Sequence, residues 1–239
     1  MPEEKQLTDQ TTITKTITSK QIIQIQLIWY MINFLIVFGQ KNIGFELPYF
    51  NNLYQISFKI IGRSFFISFL LYTITTRELD FSNLGLTRSN FLFYFRLGIK
   101  LSSFLLIGLI IANISLTNYN PLIKITTPSQ LATSLFYFGL VSAGLLIPAL
   151  SKELFYRGLV YHYLQKKWGG DRAFFLTVLY YTFSYLDLRP GSLAVHFFVG
   201  GITTYLYYKT ENLIAPTVFQ TAYQAGLTVY LFSFSDWPF

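Results

Sequence analysis

Residues 151–164 read SKELFYRGLVYHYL and close an apolar run that begins near residue 130. Lys152, Glu153 and Arg157 stand there among Leu, Phe, Tyr and Val. Charge inside hydrocarbon is costly, so an ionisable residue in such a setting marks a functional site by default and needs a partner. Glu153 and Arg157 are four apart with the acid on the N-terminal side, the favourable order for a helical ion pair. Spacing alone makes them a structural pair first and a catalytic pair second.

The rest of the chain decides the setting. Of 239 residues 52% are hydrophobic and only 12% charged, with 25 Phe and 18 Tyr. Mean hydropathy is +0.43. Soluble domains carry about 25% charged residues. The deficit predicts an all-α, polytopic transmembrane bundle. A span needs about 20 mostly apolar residues. Seven candidates follow, near 21–39, 53–76, 91–114, 130–165, 172–187, 192–208 and 213–232, the fourth running unbroken through the opening stretch. Short polar links join the last four, which makes them neighbours in space.

Residues 1–20 are polar, Thr-rich and charge-balanced, and predict an aqueous tail ahead of one membrane domain over 21–239. They hold no apolar core or small-residue cleavage site, so no cleaved signal peptide is expected. With no cysteine, disulfides, thiolate metal sites and a Cys nucleophile are excluded. The net charge of +7 sets orientation rather than nucleic-acid binding, since no basic block or nucleic-acid motif accompanies it. With the N-terminus cytoplasmic or stromal, inside segments hold Lys5, Lys15, Lys20, Arg77, Arg88, Lys166, Lys167, Arg172 and Lys209. Outside segments hold Lys41, Lys124 and Arg189. Basic residues mark the inner side, so this orientation is the expected one. Lys59, Arg63, Arg96 and Lys100 fall within spans, where they snorkel or line an interior face.

Other polar residues in the spans have plain and sharp readings. Asp187, beside Arg189 and Pro190, is by spacing a helix-end charge at the interface. The sharper alternative turns it inward to the charges of the fourth helix. Gln220 and Gln224 share a helix face and serve most simply as hydrogen-bonding groups between helices. His162 and His196 lie on different helices without an i, i+4 partner, so no metal site is expected. Gly200-Gly201 and Gly139-x-x-x-Ala143 suggest close helix packing.

The order KELFYRGLV, then FSYLD, then GGITTYLYYKTENLIAPTVFQTAYQ resembles the CPBP family of CAAX-processing and bacteriocin-associated membrane proteases, also called Abi, over about residues 130–230. SNLGLTRSN is similar to a weaker feature of that family. Active members carry Glu-Glu-x-x-x-Arg, Phe-x-x-x-His and His-x-x-x-Asn or similar. The resemblance implies that the first Glu and first His activate water while the second His and the Asn stabilise the oxyanion. At those positions this chain has Lys152, Asp187, Gln220 and Gln224, so none of the four keeps its identity. Glu153, Arg157, Gly158, Phe183 and Pro216 are retained. The reciprocal change of sign at 152 and 187 suggests an interhelical Lys152–Asp187 salt bridge.

The resemblance therefore implies a degenerate member, a non-catalytic membrane protein acting as a scaffold, an assembly factor or a subunit of a membrane complex. A divergent endopeptidase using Glu153 is the alternative, and a transporter with an anion path lined by Lys59, Arg63, Arg96 and Lys100 is the second. The expected partners are the membrane and another membrane protein. No cofactor is expected, though the aromatic faces suit a bound lipid or pigment. A bacterial plasma membrane and a thylakoid membrane fit equally well.

Overall fold

The computed structural model describes residues 17–42, 51–82, 84–87, 90–117 and 127–232. Most of the tail expected over 1–20 and most of the 118–130 connector lie outside these residues. So do Lys5, Lys15, Arg88 and Lys124 of the charge count and the side chain of Lys41.

An apolar chain in lipid must satisfy its backbone within each segment, and helices do this. The elements are α1 (Ser19–Asn42), α2 (Asn51–Thr76), α3 (Phe91–Thr117), α4 (Pro128–Glu153), a π-helical segment (Leu154–Tyr161), α5 (His162–Trp168), α6 (Gly170–Phe183), α7 (Pro190–Thr210) and α8 (Ile214–Phe232). Among the described residues the fold is all-helical. Hydroxyls inside the helices return to carbonyls one turn back, as Ser64 does to Ile60 at 2.9 Å and Thr182 to Val178 at 2.8 Å. A capping box starts α1, with Thr18 N–H on Gln21 Oε1 at 2.9 Å and Gln21 N–H on Thr18 Oγ1 at 3.4 Å.

α4, the π-helical segment and α5 form one unbroken rod, as the sequence predicts for its fourth segment. Gly169, at φ 82°, breaks it from α6. Among the described residues four helical stretches are long and apolar enough to cross a bilayer: Ser19–Gly39, Ser57–Thr76, Phe91–Ala112 and Leu131–Trp168. α6 has only 14 residues. α7 and α8 have the length but are diluted by His196, Thr203, Thr204, Gln220 and Gln224. Of the seven expected spans, the last three are thus the polar-lined members of the bundle.

α2 packs on α1 and α4, α8 on α3, α4 and α7, and α6 on α5 and α7. At the centre lies the π-helical segment, all eight of whose residues are buried. Trp29, Phe66, Leu70, Tyr181 and Tyr207 pack round it. Large apolar side chains cover the outside instead, Phe104 being 79% exposed. Exposed phenylalanines around a charged interior suit a lipid surround. Between α3 and α8 the backbones touch at Gly98, where a Cβ would lie 2.7 Å from the Ala215 carbonyl oxygen. The expected Gly139-x-x-x-Ala143 contact does not form among the described residues, none of which lies within 4 Å of a Cβ built on Gly139. Gly200 is packed and Gly201 is not.

Candidate functional site

Arg157 is the hub of the interior. Its position in the π-helical segment turns it toward α7 while Glu153, at the end of α4, stays beside it. Both side chains are 0% exposed, and Arg157 Nη1 lies 3.3 Å from Glu153 Oε1. Arg157 Nη2 donates to the Gly200 carbonyl at 3.0 Å and to Thr203 Oγ1. The guanidinium also sits 4.5 Å from the Tyr181 ring centroid, within cation–π range. Gly200 allows this approach, since a Cβ there would meet Tyr181 Cδ1 at 2.6 Å. Glu153 Oε2 and Arg157 Nε have no hydrogen-bond partner among the described residues.

A chain of hydroxyls continues from Tyr181. Gln220 Nε2 donates to its hydroxyl at 3.1 Å, and the Tyr185 hydroxyl donates to it at 3.0 Å. Tyr156 and Ser184 share a hydrogen bond at 2.7 Å, and Ser184 Oγ donates to the Tyr181 carbonyl. His196 stacks on Tyr185 with centroids 3.8 Å apart and planes 11° apart. Rings and hydroxyls thus enclose the ion pair on the side of α6 and α7.

Lys152 and Arg63 close the other side. Lys152 is buried, and its ammonium stands 5.7 Å from the Tyr185 centroid. Arg63, on α2, stacks on Trp29 at 3.3 Å and donates from Nη2 to Asn33 Oδ1 at 2.5 Å. Of the four span cations named from the sequence, only Arg63 is buried; Lys59, Arg96 and Lys100 are exposed. Two residues of the suggested anion path, Arg96 and Lys100 on α3, therefore face away from the interior.

The Lys152–Asp187 salt bridge does not form. Asp187 lies in the turn before α7, where its carboxylate takes Arg189 Nε at 2.9 Å, Arg189 Nη2 at 2.5 Å and the Arg189 N–H at 3.2 Å. A partner two residues away costs far less ordering than one across the bundle, so the plain helix-end reading holds for Asp187. Hydrogen bonds from the Arg189 side chain, then Ser192, hold its carboxyl well below the usual carboxylate range. Gln220 is wholly buried at the site, whereas Gln224 is half-buried with no side-chain hydrogen bond among the described residues, so the two amides do not act as a pair.

The structure thus brings together Lys152, Glu153, Arg157 and Gln220 and leaves Asp187 and Gln224 outside. Sequence reasoning missed Trp29, Tyr156, Tyr181, Ser184, Tyr185 and Thr203. An aromatic residue in a membrane helix carries no signal of facing inward. The tyrosines at 180, 181 and 185 are distinguished only by their packing. Chemically, the cluster has one carboxylate, held by a guanidinium, and no carboxylate–imidazole pair. Among the described residues no group of three His, Asp or Glu side chains is placed to hold a metal ion.

Residues 133–226 match the family model described as type II CAAX prenyl endopeptidase Rce1-like. The match runs from α4 into α8 and contains every residue of the cluster except the α1 and α2 contributions. It is consistent with the CPBP/CAAX protease family, and with an integral membrane protein. No curated protein and no solved structure matches the chain.

Proposed function

We propose that this Rce1-like membrane protein is non-catalytic and works as a scaffold, assembly factor or subunit of a membrane complex. One observation carries the reading. Where the resemblance expects a water-activating acid there is a buried lysine, and the neighbouring Glu153 gives Oε1 to Arg157. A general base needs a carboxylate within reach of the water it deprotonates. A cluster of this kind instead ties α4, α6, α7 and α8 into one rigid interior, a platform for a partner helix.

The test is extraction in mild detergent followed by native separation and by incubation with a prenylated CAAX peptide. Migration with a partner and no cleavage are expected. Cleavage that disappears in Glu153→Gln would overturn the proposal. It would establish the second reading, a divergent endopeptidase, which the unpartnered and buried Glu153 Oε2 favours.

A further inference from the structure

Positive charge is concentrated between α2 and α4, which pack side by side. Arg63 is 8% and Lys152 9% exposed. Arg63 Nη2 is bonded to Asn33, but Nη1 is buried and has no hydrogen-bond partner among the described residues. Lys152 forms no ion pair or hydrogen bond with the described residues, and its ammonium lies 5.7 Å from the centroid of the Tyr185 ring. Trp29, which stacks on Arg63, also packs edge-on against Tyr156 at 6.2 Å, and Tyr156 lies one turn beyond Lys152, while Lys59 lies one turn before Arg63.

Glu153 is the carboxylate among these groups, and it is bonded to Arg157. Like charges held together in a low-dielectric interior repel strongly unless an opposite charge lies between them. Here the surroundings fix the cations in place. Trp29 stacks on one face of the guanidinium, and Asn33 orients its fork. A guanidinium N–H and an ammonium are thereby presented without an acceptor among the described residues.

We infer that Arg63 and Lys152 form an internal anion site, with exposed Lys59 at its rim. It takes a small monoanion or a carboxylate group. The aromatic walls of Trp29, Tyr156 and Tyr185 suit a weakly hydrated anion, and a guanidinium fork matches a carboxylate in shape. The carboxylate can belong to a free ion or to a fatty acid reaching in past Lys59. The site holds whether or not the protein cleaves peptides.

Trp29 supplies the probe. Full-length protein carrying Trp168→Phe and Trp237→Phe, purified in detergent, is titrated with chloride, acetate or oleate at constant ionic strength. A saturable change in Trp29 emission is expected in at least one titration. Its half-point moves at least tenfold in Arg63→Gln and in Lys152→Met and stays in place in Lys100→Met. Saturation by chloride or acetate identifies a free ion; saturation by oleate alone identifies a lipid carboxylate. Where a variant does not fold, the melting midpoint of the unmutated chain, rising with the same anion, is the deciding measurement. No saturable response and no rise with any of the three anions, or a response both variants keep, overturns the inference.

Discussion

Glu153 and Arg157 face each other at 3.3 Å across the start of the π-helical segment, both sealed from the surface. The pair joins the one long rod of the bundle to the carbonyl of Gly200 on α7. Its enclosure makes the two residues unequal to a surface pair of the same spacing.

Removing one partner leaves the other charged and alone in the interior, at a cost of about 3–5 kcal/mol. Arg157→Met will lower the thermal melting midpoint of the detergent-solubilised protein markedly. Glu153→Gln will lower it less, because an amide oxygen still accepts from Nη1. Combining the two will recover part of the loss, and additive losses would show that the pair is not coupled.

Asp187 should behave in the opposite way. Its partner Arg189 is exposed and lies in the same turn. Asp187→Asn will lower the melting midpoint at pH 7 only slightly. The folded-state carboxyl is depressed by its bonds to Arg189. Its contribution is therefore complete above the unfolded value, about 4, and is lost as pH falls through the lower folded value. A stability difference between variant and parent that shrinks only below pH 4 checks the sign. A large destabilisation at neutral pH would restore the bridge to Lys152.

The two adjacent glycines of α7 offer an internal control. A Cβ at Gly200 would press on Tyr181 at 2.6 Å, while a Cβ at Gly201 would meet nothing within 4 Å. Gly200→Ala will destabilise by about 1–3 kcal/mol through overpacking. Gly201→Ala will be neutral or stabilise by up to about 1 kcal/mol from helix propensity. Melting curves of the pair read both effects.

Orientation is open to direct labelling because the chain has no cysteine. Lys209 and Arg189 lie at opposite ends of α7 and are exposed. In intact cells or sealed vesicles, a membrane-impermeant maleimide will reach Arg189→Cys from the outer side and Lys209→Cys only from the cytoplasmic or stromal side. The reverse pattern would invert the orientation drawn from the basic residues.

The sequence made the long rod, the buried Glu153–Arg157 pair and the helical order legible, because apolar length and i, i+4 spacing are local properties. The surroundings of the pair were not legible. Tyr181 reaches Gln220 across 39 positions of sequence, and Arg63 meets Trp29 across two helices. Nothing in either residue's neighbours along the chain specifies such contacts. Asp187 misled for a related reason. The resemblance placed it opposite Lys152, but Arg189, two residues on, claimed it first.

Rod length has a consequence for the bilayer itself. The apolar stretch Leu131–Trp168 has 38 residues. At 1.5 Å per residue it is about 57 Å long, nearly twice a hydrocarbon core of about 30 Å. Even a tilt of about 40° leaves it overhanging. α6, its neighbour, covers only about 21 Å by the same rise before the exposed Asp187–Arg189 pair ends it, and that pair requires headgroups or water. The end of the rod, with exposed Lys166 and Lys167, therefore projects beyond the hydrocarbon, while the short α6 favours a thin bilayer beside it. Reconstitution in phosphatidylcholines of graded acyl length will register that preference as greater stability in the shorter chains.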